Sequence, residues 1–361
     1  MSPADREQPY CLVTVTNTGD TFICGRDEYI LDAAFDNGLS LPHNCRGGAC
    51  GRCKAKVISG DVAEGFLPGW GITEEERQAG MALICSTVPA SPNLHIEMVE
   101  AMAERSPEAV RGMATVVAAE AIAPRVLRLV VALPADQRPA IHPGACAELE
   151  VPGVKPNRRY SIASSPAGNA AEAHLLLEFF VSRHPDGVAS GWLHEHARVG
   201  QQLWTVAPLG GVEMEPLRGR PVLALAGGTG IASVLPVLEA LADKGPVSMT
   251  VVFSVRARAD VFGLDRLLAI QHKRDVDLGI HVVLTRESAV PESSVVHWWA
   301  GRVPEMLPRI VPDPRECAAF VAGTPGFVDS CMEAAIAGGV DRERIVVDSF
   351  APAGTEAGGR P

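Results

Sequence analysis

Leu41-Pro-His-Asn-Cys-Arg-Gly-Gly-Ala-Cys-Gly-Arg-Cys53 is the most informative segment in the N-terminal part of this chain. Its three cysteines follow the spacing C-x4-C-x2-C, and a fourth cysteine ends the sequence Ala82-Leu-Ile-Cys85. This is the plant-type spacing of [2Fe–2S] ligands, in which four thiolates hold two irons. The spacing therefore predicts a metal site made of Cys45, Cys50, Cys53 and Cys85.

Small residues between these cysteines favour the iron–sulfur cluster over its alternatives. Gly47, Gly48, Ala49 and Gly51 leave room for backbone N–H groups to point at the sulfurs and stabilise their charge. The alternatives are a zinc site and unligated structural cysteines. Structural zinc sites usually show paired short knuckles, whereas three of these ligands crowd one loop. The first hundred residues resemble ferredoxins of the plant and oxygenase type.

The segment before Cys85 carries a helix start signal. Thr73-Glu-Glu-Glu76 has the capping-box pattern, which predicts a short helix that leads toward Cys85.

Length and charge limit the possible classes of protein. A chain of 361 residues is expected to form two or three domains. Its net charge of −11 argues against nucleic-acid binding. No apolar run is long enough to span a bilayer, and the N-terminus lacks a signal-peptide core, so we expect a cytoplasmic protein without a membrane partner. The acidic residues 1–103 indicate either steering of a basic partner or simple solubility.

The sequence pattern changes twice along the chain. Residues 101–112 are polar, contain Ser106-Pro107, and are predicted to be a linker. Short apolar runs between 114 and 206 predict a small antiparallel barrel. After 220, strands alternate with helices, which predicts a doubly wound parallel sheet. The expected domains are 1–103, 113–215 and 220–350, followed by a flexible tail over 351–361.

A glycine turn follows the first strand of the third region. Val222-Leu-Ala-Leu-Ala-Gly-Gly-Thr-Gly-Ile231 predicts a strand, a turn and the start of a helix. Glycines allow backbone N–H groups to approach a pyrophosphate, and the helix N-terminus favours its charge. Taken alone, the pattern also fits an ordinary tight turn.

Two further motifs carry chemistry in the second region. In Arg158-Arg-Tyr-Ser161 an arginine can hold phosphate, while Tyr160 offers a ring face and Ser161 a hydroxyl to a planar cofactor. In Pro185-Asp-Gly-Val-Ala-Ser190, Ser190 is predicted to cap a helix whose N-terminus receives a second phosphate. The alternatives are a strand with a surface arginine and an ordinary capped helix.

In this order, the motifs resemble the ferredoxin–NAD(P)⁺ reductase superfamily over nearly the whole chain. The chain is most similar to ferredoxin-first reductase components of bacterial oxygenases, such as those serving aromatic-ring dioxygenases. The resemblance implies a β-grasp ferredoxin, a flavin barrel and a nucleotide domain. It also implies an enzyme that passes electrons from NADH through FAD to the [2Fe–2S] cluster and on to a terminal oxygenase or another electron-accepting protein.

The resemblance also implies roles for individual residues. It assigns Ser161 and Phe350 to catalytic positions at the flavin ring, with Asp348 before Phe350 in place of the glutamate of many relatives. Ala322 stands where many relatives carry cysteine, so a thiol near the reacting carbon is absent. The implied flavin-binding residues are Arg158, Tyr160, Ser161, Gly187, Val188, Ala189, Ser190 and Phe350. The implied nucleotide-binding residues are Gly228, Thr229, Gly230, Arg256 and Gly323.

The choice of cofactors depends on domain order and on one loop. Relatives that use FMN generally place the ferredoxin last, so we expect FAD. Arg256 and Arg258 can bind the 2′-phosphate of NADPH, but Asp260 resembles the acidic residue of NADH-preferring relatives, so we expect NADH. Two alternatives remain open. One is a reductase of the same architecture for a P450, a di-iron monooxygenase or sugar deoxygenation, and the other is a ferredoxin carrier with an inactive reductase region.

Overall fold

The computed structural model describes residues 9–37, 39, 41–43, 48, 51–64, 71–99, 109–154, 157–164 and 174–350. Two of the four predicted ligands, Cys45 and Cys50, lie outside these residues, as do most of the predicted linker and the predicted tail. The chain divides into two compact units. The first comprises Met1–Pro107 with Ser349–Pro361, and the second comprises Glu108–Asp348.

The first unit contains a mixed five-stranded sheet in the order β2-β1-β7-β3-β5. Strand β1 runs parallel to β7, and the other neighbours are antiparallel. Its strands are β1 (Tyr10–Val15), β2 (Asp20–Gly25), β3 (Lys54–Ser59), β4 (Val62–Glu64), β5 (Met81–Leu83), β6 (Thr87–Pro89) and β7 (Asn93–Met98). Its helices are α1 (Ile30–Asp36) and α2 (Glu74–Gln78), and β4 pairs with β6.

Strand alternation and one amphipathic helix build the core of this unit. Cys11, Val13 and Val15 are buried on β1, in alternation with more exposed residues. They share a core with the buried Ile30 and Leu31 of α1. The capping box before α2 is confirmed, because Thr73 Oγ1 accepts from Glu76 N and Thr73 N donates to the Glu76 carboxylate.

The second unit begins with a six-stranded antiparallel sheet in the order β11-β10-β13-β8-β9-β12. Its strands are β8 (Val110–Ala123), β9 (Val126–Ala132), β10 (Cys146–Leu149), β11 (Arg158–Ser161), β12 (Leu176–Ser182) and β13 (Gln202–Leu209). Helix α3 (Val188–His196) lies between β12 and β13 in the chain.

The predicted barrel is not closed by a ladder among the described residues. The segment directly after β11 instead reaches β12 through a backbone hydrogen bond from Ala163 N to Glu178 O at 2.7 Å. Strand β11 has only four residues and pairs with β10 along its length. It therefore ends before it can form a second ladder with β12.

A second six-stranded sheet follows in the order β17-β16-β15-β14-β18-β19. Its strands are β14 (Val222–Gly227), β15 (Val247–Val255), β16 (Val276–Leu284), β17 (Val296–Ala300), β18 (Ala318–Gly323) and β19 (Ile345–Ser349). Its helices are α4 (Ile231–Ala242), α5 (Leu264–Gln271), α6 (Val303–Ile310) and α7 (Pro325–Ala337). The pairings of β14 with β15 and β18, of β15 with β16 and of β16 with β17 are parallel.

Two neighbouring interior strands of this sheet, β14 and β18, are buried almost throughout. Every residue of β18 is buried, as are the first five of β14, which is typical of strands covered on both faces. Strand β14 has its successor β15 on one side and the much later β18 on the other. Such a change in strand order opens a crevice beyond the carboxyl ends of the strands.

No helix in the described part of the chain is both long enough and apolar enough to cross a membrane.

Candidate functional site

Strand pairing brings two of the predicted cluster ligands together. Cys53 directly precedes β3 and Cys85 follows β5, and these two strands pair with Lys54 opposite Leu83. Ile84 N also donates to Cys53 O at 3.1 Å. The two Sγ atoms consequently lie 3.1 Å apart, and both residues are buried. Two adjacent thiols fit the need of a [2Fe–2S] cluster for two thiolates on each iron.

A close backbone approach explains one glycine of the ligand loop. Gly51 has a φ of +77°, and a Cβ there would lie 2.8 Å from Gly71 O. Nearby, Gly71 N donates to Gly48 O at 2.8 Å. Glycine is therefore required between Cys50 and Cys53 for packing as well as for access to the sulfurs.

The Arg158–Ser161 motif forms β11, an end strand of the antiparallel sheet. All four residues are half-buried, as expected for residues that line a ligand site. The Tyr160 ring packs edge-on against Phe179 at 6.5 Å between centroids. Burial raises the pKa of Tyr160 to about 12, against a smaller opposing effect of Arg158, so the phenol stays neutral at physiological pH.

The predicted N-cap of α3 is wrong by three residues. The helix begins at Val188 with Gly187 as its N-cap, and Ser190 lies within the first turn. Ser190 Oγ accepts from His184 N at 3.1 Å and donates to Gly187 O at 3.2 Å, so this hydroxyl braces the preceding turn instead of capping the helix. No side chain in the described residues caps α3. Its first N–H groups, including those of Val188 and Ala189, therefore suit an anion such as phosphate.

The glycine turn after β14 is shaped by one close contact and one open side. A Cβ on Gly230 would lie 2.2 Å from Ala322 O and 3.0 Å from Gly323 N. Gly228 has a φ of +54°, and a Cβ there would meet nothing within 4 Å. The turn thus packs against the end of β18 while its other side stays open, which fits an approaching pyrophosphate.

These contacts bring most of the predicted nucleotide residues to one place. Gly228, Thr229, Gly230 and Gly323 lie at the carboxyl ends of β14 and β18. Arg256 directly follows β15, whose Ser254 pairs with Gly227. Strand β12 of the antiparallel sheet also lies near the Gly228–Gly230 turn. The candidate nucleotide site therefore adjoins the sheet that carries β11.

Two carboxylates accept hydrogen bonds from the loop after β15. Arg256 Nη2 donates to Asp260 Oδ1 at 3.2 Å, and Ala257 N donates to Asp260 Oδ2 at 3.2 Å. Arg258 N donates to Glu287 Oε1 at 3.0 Å. The sequence did not indicate Glu287, because it is 29 residues away from Arg258. Only the pairing of β15 with β16 brings Glu287 to this loop.

Ser233 and Asp348 form a second contact that the sequence did not indicate. Ser233, in the first turn of α4, is fully buried and its Oγ donates to Asp348 Oδ2 at 2.5 Å. Burial raises the pKa of Asp348 to about 6, although the bond from Ser233 acts in the opposite direction. The contact joins β19 to the helix that follows the glycine turn. Phe350 is half-buried directly after β19, and its place at the flavin ring stays a prediction.

Comparisons with known proteins agree with this arrangement. The Fer2 family, the 2Fe-2S iron-sulfur cluster binding domain, matches residues 13–90. The xylene/toluene monooxygenase electron transfer component XylA of Pseudomonas putida is 28% identical, covering 95% of this chain and 94% of that protein. The ferredoxin–NAD(+) reductase component of the alkene monooxygenase system of Xanthobacter autotrophicus is 28% identical, covering 92% of this chain and 99% of that protein.

A solved structure extends the similarity to three dimensions. The Amycolatopsis cytochrome P450 reductase GcoB has a TM-score of 0.71 and 27% identity, covering 95% of this chain and 99% of that chain. These similarities match a ferredoxin-first reductase of the ferredoxin–NAD(P)⁺ reductase type. The predicted resemblance is thereby confirmed, together with the class of activity, an NAD(P)H-dependent iron–sulfur flavoprotein oxidoreductase. The reductase has a multi-domain layout, and its cofactors are the [2Fe–2S] cluster, FAD and NAD(H).

We predict that Gly230→Ala in the reductase raises the KM for NADH about tenfold or more and lowers the melting temperature. The reason is that the new Cβ would overlap Ala322 O, a backbone atom that moves only if the end of β18 moves. NADH-dependent ferricyanide reduction and thermal unfolding measure the two effects. Gly326→Ala is the matched control, because a Cβ there would meet nothing within 4 Å. Equal behaviour of the two variants would contradict the argument.

We predict that Asp348→Asn stabilises the reductase more at pH 7 than at pH 4.5. Because the folded-state pKa of Asp348 is raised to about 6, the folded protein binds its proton more tightly than the unfolded chain does. Wild-type stability then falls as pH rises from about 4 to about 6, and the neutral amide removes this loss. Urea unfolding of both proteins across this pH range measures the difference.

Asp313→Asn is the control, because the contribution of Asp313 to stability depends on pH in the opposite direction. The side-chain hydrogen bond from Arg315 lowers the pKa of the exposed Asp313 to about 2, so this carboxylate favours folding above about pH 4 and loses that effect as pH falls toward 2. A pH-independent difference between wild type and Asp348→Asn would refute the assignment of a raised pKa.

Proposed function

We propose that this chain transfers electrons from NADH through FAD to its own [2Fe–2S] cluster and then to a terminal oxygenase component. The observation that carries the proposal is the position of the Gly228–Gly230 turn. It adjoins β12 of the sheet whose end strand β11 holds Arg158, Tyr160 and Ser161. A nucleotide on the turn and a flavin on β11 would therefore be neighbours within one compact unit.

Different residues of the second unit would hold different parts of the two cofactors. When bound, the nicotinamide supplies two electrons as a hydride, the flavin accepts them, and the cluster takes electrons one at a time. Arg158 and the uncapped N-terminus of α3 would hold flavin phosphates, and Tyr160 would cover a ring face. Ser161 would offer its hydroxyl to the ring. The open side of Gly228 and the N-terminus of α4 would receive the pyrophosphate of NADH.

We also infer the finer domain assignment from the described elements. Residues 1–103 are the proposed ferredoxin domain with a β-grasp fold, 113–215 the flavin barrel, 220–350 the doubly wound nucleotide domain and 351–361 a tail. The hydrogen bond between Ala163 and Glu178 supports a barrel whose two end strands meet over a short distance. The parallel sheet with its change of strand order at β14 supports the doubly wound class. A cytoplasmic location stays a prediction.

The terminal partner is proposed from the relatives. XylA and the Xanthobacter protein are named as components of monooxygenase systems, and GcoB as a cytochrome P450 reductase. An oxygenase is therefore the acceptor class that we propose. A P450 is the second candidate, because GcoB aligns with 95% of this chain. Co-purification from cells that express the neighbouring genes, followed by NADH-driven turnover of the captured oxygenase, distinguishes these acceptors.

We predict that Cys53→Ser abolishes NADH-driven reduction of cytochrome c but retains most of the NADH–ferricyanide activity. Cys53 lies beside Cys85 as a proposed iron ligand, whereas ferricyanide can take electrons from the flavin directly. Iron content, the visible spectrum and the two activities are measured on the same preparation. Cys317→Ser is the control, because this buried thiol lies at the amino end of β18, away from the carboxyl ends that carry the proposed nucleotide site.

Two results would count against the cluster. One is full iron content and cytochrome c activity in Cys53→Ser, and the other is stoichiometric zinc without iron or flavin in the wild-type protein.

We predict that Asp260→Ala combined with Glu287→Gln raises the ratio of kcat/KM for NADPH over NADH about tenfold or more. Removal of both carboxylates releases Arg256 from its ion pair and eliminates repulsion of a 2′-phosphate. Steady-state kinetics with both nucleotides measure the ratio. Asp265→Ala, an exposed carboxylate in the first turn of α5, is the control. An unchanged ratio in the double variant would place the 2′-phosphate discrimination outside this loop.

A further inference from the structure

Arg266 of α5 joins the antiparallel sheet to the nucleotide-binding part of the second unit. Its Nη1 donates to Ala163 O at 2.6 Å and to Glu178 Oε2 at 3.1 Å. Its Nε and Nη2 donate to Glu239 Oε1 at 3.0 and 2.7 Å. One guanidinium therefore contacts the segment after β11, the strand β12 and the helix α4.

This group is largely removed from solvent. The side chains of Arg266, Glu178 and Glu239 are 21%, 15% and 13% exposed. Water and salt screen such pairs less than surface pairs, and the loss of one member leaves a partly buried charge without compensation. Glu178 is also held from its other side by Arg128 Nε at 2.5 Å. The planar fork of arginine suits several acceptors at once, which a lysine ammonium does not match.

On one side, Arg266 acts where the two end strands of the antiparallel sheet meet. Ala163 N donates to Glu178 O at 2.7 Å, and Glu178 N donates to Ser164 Oγ at 3.3 Å. Arg266 thus binds both members of this junction. Ala163 is two residues beyond Ser161, the last residue of the proposed flavin strand. A shift of Ala163 would move β11 with it.

On the other side, Arg266 acts on the helix that begins at the glycine turn. Glu239 lies in α4, a continuous helix that starts at Ile231 directly after Gly230. Because a helix is a stiff element, the position of Glu239 constrains the position of the turn. The contacts of Arg266 with Ala163 and Glu178 therefore lead to the proposed flavin site, and its contact with Glu239 leads to the proposed nucleotide site.

Apolar packing holds the same parts together without fixing their alignment. Phe262 packs against Phe180 of β12 at 5.2 Å and against Phe253 of β15 at 5.6 Å between ring centroids. Such burial stabilises association but is non-directional. The hydrogen bonds of Arg266 are directional and so select one alignment of β11 with respect to α4.

We propose that Arg266 is a positioning residue for hydride transfer, which sets the alignment of the flavin strand β11 against the nucleotide helix α4 through Ala163, Glu178 and Glu239. The inference depends on the proposed function. Hydride donor and acceptor must approach within about 3–3.5 Å, and a misplacement of about 1 Å can cost about 100-fold in rate. Loss of Arg266 should consequently slow hydride transfer more than it weakens NADH binding.

The test compares Arg266→Met, Arg266→Lys and Glu239→Gln in the full-length holoprotein. Anaerobic stopped-flow measurement of flavin bleaching by NADH gives the hydride-transfer rate and the Kd for NADH. We expect Arg266→Met to lower the rate about 10- to 100-fold with less than about a threefold change in Kd. The primary isotope effect with deuterated NADH should rise, and Arg266→Lys and Glu239→Gln should show smaller losses. Arg183→Met is the matched control, because Arg183 forms an exposed ion pair with Glu195 in the same unit.

A second readout does not depend on activity. Hydrogen exchange at the amides of Ala163 and Glu178 should be faster in Arg266→Met than in wild type, and unchanged in Arg183→Met. If Arg266→Met fails to fold, Arg266→Lys and Glu239→Gln decide the question by the same two measurements.

The inference is overturned if hydride transfer in the folded variants stays within twofold of wild type, or if Arg183→Met lowers the hydride-transfer rate as much as Arg266→Met does. It is also overturned if the loss of rate is matched by an equal loss of NADH affinity. If wild-type protein loaded with FAD shows no flavin bleaching by NADH, the proposed function fails and the inference fails with it. If NADH bleaches the flavin of the wild-type protein normally and the variants transfer hydride as fast as wild type, the inference fails but the proposed function stands.

Discussion

The approach of Gly230 to the carbonyl oxygen of Ala322 is the contact on which the nucleotide crevice depends. It lets the turn after β14 lie directly against the end of β18, so the carboxyl ends of two parallel strands form one wall. Gly323 comes to this wall through the same contact. Arg256 comes to it because β15 pairs with β14 on the other side. A residue with a side chain at position 230 would separate these parts, since the neighbouring atom belongs to the backbone.

The second unit combines two sheets whose roles differ but whose cores merge. Val126 and Phe180 of the antiparallel sheet and Ala163 after β11 share one apolar cluster with Phe253 of the parallel sheet and Ile231 of α4. Hydrophobic packing supplies the association, while the ion pairs of Arg266 and the bond between Ser233 and Asp348 add direction. Both kinds of contact converge on α4, the helix that follows the glycine turn. The geometry of this helix therefore connects the proposed nucleotide site to the proposed flavin strand.

Local motifs were the most predictable part of the chain. The capping box at Thr73, the strand at Arg158–Ser161 and the strand–turn–helix at Val222–Ile231 all form where the residues indicated. Each of these motifs depends on interactions between residues that are close in the sequence, so a local sequence pattern is enough to predict it. The predicted cap at Ser190 was wrong, because a serine hydroxyl can bond backward to His184 and Gly187 as readily as it caps a helix. The sequence analysis did not predict strand β17 or helix α6, and α6 contains Pro308, a residue that disfavours the interior of a helix.

The sequence predicts the order of the three proposed cofactor-binding regions and the residue types that each cofactor needs. Cysteine spacing and glycine turns are local requirements of iron and phosphate, so they can be recognised without a fold. Tertiary structure alone decided which distant groups complete these sites. Cys53 meets Cys85 through the pairing of β3 with β5, and Glu287 reaches Arg258 through the pairing of β15 with β16. Arg266 reaches Ala163 across 103 residues. No periodicity encodes such contacts, because they arise only when elements that are distant in the sequence pack together.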